Sequence, residues 1–363
     1  MSLMERNWQR ARLGKLFRNL GGVEAILLAN ENGFDPNFRY LTAFRSGLFE
    51  GSILVATRSR LFLITSQLEY QTAMDQKTSS MTVISSSEGA EAVRRRLKKL
   101  IGGKRIGINA HMLPVAAYKR LSYRYKPKKM IDVSEALLKT RLVKDEGEIG
   151  EIRKAAKVTK TAMRMIRKHF KAGVTELELA ARFDFIQMSL GASRPSFDTI
   201  VCFGKNAAQP HHSPDGTRLR KGDFILIDAG AKVNNYCSDI TRTFVFGGKA
   251  NARQKEMLKL VADAQKAAID AIRPGKDGRK IHAIAADMIN GSYGGRYKGR
   301  FIHALGHSVG LEVHDGPGFI PGEKNILAPG MVITAEPGVY LPGFGGVRFE
   351  DDVLVTKKGH ELL

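Results

Sequence analysis

Carboxylates and imidazoles mark the part of the chain where chemistry is expected. Asp228 ends the apolar run Phe224, Ile225, Leu226, Ile227, and Asp239 lies in the segment 237–243 that runs into Phe244, Val245 and Phe246. A polar turn at Asn234 and Asn235 separates them, the pattern of an antiparallel hairpin. Same-face side chains on neighbouring strands approach closely. Two carboxylates so placed are costly to bury unless a cation pairs them. A metal ion would do that; equally, each aspartate could cap a turn or pair Arg242. The short runs beside the turn leave the register open.

Three histidines then fall within twelve residues, His303, His307 and His314, among apolar and glycine positions. A lone histidine is commonly a packed core residue, but three near permissive backbone suggest a site. Glu336 closes the apolar stretch 332–335 before a Pro-Gly turn, and Arg348 and Glu350 share one face of an expected strand that continues through 352–356.

The surrounding elements must hold these groups. Apolar periodicity over 145–171, stopped by Gly173, predicts a long helix, and Thr175 with Glu178 predicts a capped helix over 175–190. Helices also fit 251–272 and 277–290. Upstream, a helix over 5–20 precedes short apolar runs at 23–29, 51–56, 60–65, 81–85 and 105–109, with a basic helix over 88–101. Alternating strands and helices predict a small α/β domain over 1–140, followed by an α+β domain over 141–363.

With 363 residues and 43% hydrophobic content the chain has ample material for a buried core. No run reaches the ~18 apolar residues of a membrane span. Residues 1–20 carry five basic groups without an apolar centre, so no signal peptide and no membrane partner are expected. Cys202 and Cys237 lie apart and predict reduced, packed thiols and a cytoplasmic location. The net charge is +22, of which +13 falls on residues 1–140. The basic clusters at 94–99 and 126–129 lack interleaved aromatic residues, so they read as a solvated face and not as a nucleic-acid site.

The stretches IDAGAKVNNYCSDITRTF, HALGHSVGLEVHDGP, MVITAEPGVYLP and GVRFEDDVLVT together resemble the pita-bread metallopeptidases, the family of methionine aminopeptidase, aminopeptidase P and prolidase. FRYLTAFRS resembles the creatinase-like N-terminal domain of the Xaa-Pro branch. The resemblance implies a pita-bread catalytic domain after that smaller domain. It implies two divalent metal ions on Asp228, Asp239, His307, Glu336 and Glu350, with Asp228 and Glu350 bridging. Such a hard, oxygen-rich set suits Mn²⁺ or Co²⁺ foremost, with Zn²⁺ and Fe²⁺ also compatible. Glu336 would shuttle a proton, His211 and His314 would orient substrate and stabilise the oxyanion, and His303 and Arg348 would line the pocket. The implied substrates are short proline-containing peptides and the implied assembly is a homodimer. The alternatives are a metal-free creatinase-like hydrolase and an inactive pita-bread binding protein, and the complete ligand set argues against both. Dipeptide-selective relatives carry an arginine where this chain has Gly318, which predicts room for longer peptides and a gain in dipeptide activity for Gly318→Arg.

Overall fold

A computed structural model describes residues 8–363 except 19, 32, 33 and 323. The chain divides into two compact units, Met1–Arg141 and Leu142–Leu363. In chain order the first holds α1 (Trp8–Arg18), β1 (Ala25–Ala29), α2 (Pro36–Thr42), β2 (Ile53–Ala56), β3 (Leu61–Thr65), α3 (Gln67–Gln76), β4 (Met81–Ser85), α4 (Ala90–Ile101), β5 (Arg105–Ile108), α5 (Val115–Tyr125) and β6 (Lys129–Asp132). Residues 5–7 of the expected first helix lie outside the described residues. The six strands form one mixed sheet in the order β4-β3-β2-β1-β5-β6. β2 and β3, joined by a short turn, pair antiparallel, and so do β1 and β2 across the longer connection that holds α2, whereas β3 with β4, β1 with β5 and β5 with β6 pair parallel across helical connections. Leu27, Val55, Ile106 and Leu121 meet in its core.

Helix α6 (Ser134–Leu142) comes next, then α7 (Glu146–Met165) and α8 (Glu176–Ser189). Both α7 and α8 begin with reciprocal capping boxes, Asp145 with Glu148 and Thr175 with Glu178. The long helix expected to reach 171 stops at Met165 and tightens into a 3₁₀ turn, Ile166–His169. Such tightening is common at helix C-termini. The short strands β7 (Arg194–Pro195) and β8 (Ile200–Phe203) precede β9 (Phe224–Ala229), β10 (Ala231–Val233), β11 (Tyr236–Cys237) and β12 (Ile240–Val245). Helices α9 (Ala252–Ala271) and α10 (Gly278–Gly291) follow, then β13 (Val332–Ala335), β14 (Gly338–Leu341), β15 (Gly345–Arg348), β16 (Asp351–Val355) and β17 (His360–Leu362).

In this second unit the sheet β12-β9-β8 supplies two apolar faces. Leu226 packs with α9, α10 and the β13–β16 region, while Ile225 and Ile227 pack with α7 and α8. The period-two alternation of β9 thus splits its residues between two cores. Both cysteines are free and buried, and burial raises their thiol pKa values. Among the described residues no helix is long and apolar enough to cross a membrane.

Candidate metal centre

The hairpin is where sequence becomes site. Asn234 and Asn235 adopt left-handed backbone, with φ of 47° and 74°, the combination a two-residue hairpin turn needs. That turn sets Val233 opposite Tyr236, and the same register continues to Ala229 opposite Ile240 and Asp228 opposite Thr241. Asp239, two residues before Thr241, therefore lies on the same face as Asp228 and diagonal to it. Gly230 falls between them in the pairing. A Cβ there would sit 1.9 Å from the carbonyl oxygen of Ser238, so only glycine lets the strands close at this point.

His307 arrives from a segment that lies along β13. Its own N–H donates to Thr334 Oγ1 at 3.0 Å, and its carbonyl accepts from Thr334 N at 2.8 Å. The ring Nδ1 lies 3.2 Å from its acceptor Ser308 O, which leaves Nε2 with a free lone pair. That nitrogen points at Asp239 Oδ2, 3.5 Å away, and at Glu336 Oε1, 3.4 Å away. Glu336 stands in the turn between β13 and β14 and accepts from Thr334 Oγ1 at 3.2 Å. Glu350 follows β15. Its backbone N–H donates to Thr241 O at 3.1 Å, and its carboxylate accepts from Thr241 Oγ1 at 2.5 Å. The expected continuous strand through 348–350 is in fact broken, one strand ending at Arg348 and the next starting at Asp351. Both side chains still converge on Thr241, because Arg348 Nε donates to the same hydroxyl at 3.1 Å.

Asp239, His307 and Glu350 each offer one donor atom within 4.8 Å of the others. Asp228 joins them through Arg348, whose Nη2 donates to Asp228 Oδ2. The decisive feature is what these carboxylates lack. Asp228 Oδ1, Asp239 Oδ1 and Glu350 Oε1 are buried without a hydrogen-bond partner among the described residues. Buried polar atoms are nearly always satisfied, and three orphaned acid oxygens side by side fit cations as their missing partners. With no cation between them, burial drives Asp239 and Glu350 well above the usual carboxylate range, and neighbouring acids add to it. Burial also pushes Glu336 up to about 8, Asp228 adding to the effect and Arg348 opposing it. His307 is driven down to about 4 by burial and by His314, so its ring is neutral, as a ligand must be.

The other expected site residues gather at this mouth. The ring of His314 lies 4.1 Å from that of His307. His211 is exposed, and its proximity adds to the lowering of both His303 and His314. His303 bonds Tyr340 OH at 2.8 Å and is held down to about 4, chiefly by burial. Arg348 Nη1 donates to the same phenol at 2.9 Å.

Sequence reading missed several members. Tyr340 and Thr241 lie within the quoted stretches, but nothing local marked their roles, because their partners lie 8 to 109 residues away. It missed Asp352 as well, which accepts from the backbone N–H of Asp239 at 3.1 Å. His212 Nε2 donates to the buried carboxylate of Glu176 at 2.8 Å. The expectation for Gly318 is overturned. A Cβ at 318 would lie 2.4 Å from Gly306 O and 2.5 Å from His307 Cα. The position neither leaves space for a longer peptide nor accepts an arginine, because glycine there lets two backbone segments touch.

The sheet-borne cluster of acids and one neutral imidazole offers the donors that a metallopeptidase centre uses, and comparison with known proteins shows the family. Residues 150–357 match the metallopeptidase family M24, and residues 9–143 match the creatinase/prolidase N-terminal domain. The chain belongs to metallopeptidase family M24. It is 36% identical to an Xaa-Pro dipeptidase of Pyrococcus horikoshii over 96% of this chain and 94% of that one. Its fold matches an Xaa-Pro dipeptidase from Bacillus anthracis with a TM-score of 0.88 at 31% identity, covering 98% and 97% of the two chains. An X-Pro aminopeptidase from Thermotoga maritima matches with a TM-score of 0.87 at 30% identity, covering 96% of each.

Proposed function

We propose that this enzyme hydrolyses the Xaa–Pro bond of short peptides with two divalent cations held by Asp228, Asp239, His307, Glu336 and Glu350. The observation that carries the reading is the set of three orphaned carboxylate oxygens beside the free nitrogen of His307. Mn²⁺ and Co²⁺ suit this oxygen-rich set best, with Zn²⁺ and Fe²⁺ as further candidates. Divalent ions there supply Lewis acidity, which makes water nucleophilic at neutral pH and polarises a peptide carbonyl. Asp239 and Glu350 converge with His307, whereas Asp228 gives one oxygen to Arg348. Asp239 and Glu350 would hold a cation beside His307, and Asp228 would offer the oxygen that Arg348 leaves free.

The chain's own groups do the rest. Glu336 takes the proton of the attacking water and delivers it to the prolyl nitrogen, which cannot leave a tertiary amide unprotonated. His314 and His211 donate hydrogen bonds to the carbonyl oxygen as charge develops there. His303, fixed by Tyr340, and Arg348, fixed by Asp228 and Thr241, wall the pocket and hold the acids in place. A homodimer in a reducing cytoplasm completes the reading, supported by the creatinase-type domain and by two free buried thiols. The test is hydrolysis of an Xaa-Pro dipeptide and an Xaa-Pro-Xaa tripeptide by metal-stripped protein reloaded with each cation in turn. Activity that returns only with metal and only on proline-containing peptides is expected; cleavage by the stripped protein at the loaded rate would reject it.

A further inference from the structure

The N-terminal unit carries a charge distribution that peptide hydrolysis does not use. Residues 90–130 contain 13 lysines and arginines and one acid, Glu91. The fold gathers them on one layer. Leu97 and Ile101 of α4 and Leu121 and Tyr125 of α5 share a single core beneath the sheet, so both helices cover the same face. Their C-terminal ends touch, with Gly103 N donating to Lys126 O at 3.0 Å. Outward from that layer stand Arg95, Lys98 and Lys99 on α4 and Lys119 and Arg124 on α5, all exposed and without an ion pair among the described residues. Glu91 is the acid they share: it pairs with Arg94 at 2.8 Å, and Arg95 and Arg124 act on it from both helices. The exposed edge of β6 adds Lys129.

Read from sequence, these clusters lacked aromatic partners. The structure supplies one. Tyr123 is 85% exposed on α5, one turn from Lys119 and Arg120 and next to Arg124. A ring held open among cations on a helix face suits base stacking beside phosphate contacts. Lys and Arg near helix C-termini also complement the helix dipole, but that effect is confined to the last turn, and Arg95 and Lys119 lie outside it. On the outward faces of α4 and α5 the large exposed hydrophobics are Val115, Tyr118 and Tyr123, too few aliphatic anchors for insertion into a lipid surface.

We infer that the α4–α5 face binds single-stranded nucleic acid through its phosphates, with Tyr123 stacking on a base. A helix the length of α4 spans about 18 Å, the run of about five phosphates along one strand at ~3.4 Å each. Neutralising five phosphates gives a log–log salt slope of about −3 to −4 for a single strand, so affinity should fall about 100-fold between 50 and 200 mM salt.

The experiment is fluorescence anisotropy of a labelled 20-nucleotide RNA of mixed sequence, and of the matching single-stranded DNA, with the full chain. Arg95→Glu/Lys98→Glu/Lys99→Glu and, separately, Lys119→Glu/Arg124→Glu should each weaken binding at least 30-fold. Tyr123→Ala should weaken it about tenfold. Lys276→Glu/Lys280→Glu/Lys298→Glu, equal in charge change to the first variant but on the peptidase unit, should stay within twofold. Thermal midpoints near wild type keep the comparison one of folded proteins. Absence of binding at 50 mM salt, equal loss in the patch and control variants, or capture by anionic phosphatidylserine vesicles without capture of the oligonucleotide would each overturn the inference.

Discussion

Asp239 is the residue on which the proposed metal centre would depend most. It faces His307 Nε2 at 3.5 Å, and among the described residues its second oxygen has no partner and no lysine or arginine pairs with it as Arg348 pairs with Asp228. Removing it would take away a ligand and also a buried acid with an unsatisfied oxygen, so Asp239→Ala should keep the fold while losing at least one equivalent of bound metal. Activity should fall by about three orders of magnitude or more, read as kcat/KM on an Xaa-Pro peptide with metal content measured in parallel. Gly318 makes the contrasting case. Its Cβ-free backbone touches Gly306 and His307, so Gly318→Ala should displace His307 and cost about 1–3 kcal/mol of stability, and Gly318→Arg more. Denaturant unfolding would report both. An arginine variant of wild-type stability with enhanced dipeptide cleavage would reinstate the reading based on sequence likeness alone.

At the scale of elements, the hairpin from Phe224 to Val245 decides whether the acids meet. Asn234 and Asn235 are its register pins, since both take left-handed backbone that a β-branched residue resists by about 1–2 kcal/mol. Asn235→Val should therefore lower stability by about that amount and weaken metal binding with it, whereas Asn235→Gly should be tolerated; calorimetric metal titration of both variants separates the two outcomes. Thr241 is the second device, joining β12 to Glu350 and Arg348 through one hydroxyl. Thr241→Val leaves a buried acid oxygen and a guanidinium N–H without their partner, a loss of about 1–3 kcal/mol. Much of this was legible in the chain. The five acid and histidine positions stood out because their types, their flanking apolar runs and their order all pointed one way. The helix starts at Asp145 and Thr175 were legible because capping boxes are local. What could not be read were the long-range links. Nothing near Thr241 in sequence reveals Arg348 or Glu350, and the gap between β15 and β16 reflects their pairing with different strands, β14 and β13. Gly318 misled for the same reason, because the backbone that needs its missing side chain lies twelve residues upstream.

At the scale of the whole molecule, metal and assembly should show in bulk measurements. Cations bound by the folded chain and not by the unfolded one should stabilise it by about 4 kcal/mol at a thousandfold excess over Kd. Chelation should lower the thermal midpoint on the order of 10 °C, and readdition of Mn²⁺ or Co²⁺ should restore it. Light scattering should give the mass of two 40.0 kDa chains, and a monomer that remains fully active on dilution would count against the dimer. The central claim is that the Asp228, Asp239, His307, Glu336 and Glu350 cluster is a two-cation centre for Xaa–Pro hydrolysis. It is tested most directly by counting bound metal while titrating Mn²⁺ into stripped protein and following cleavage of an Xaa-Pro peptide in the same samples. The account expects activity to rise with loading and saturate at two ions per chain, with Asp239→Ala neither reaching two nor recovering cleavage. Full cleavage at zero metal, or two ions and full activity in Asp239→Ala, would contradict it.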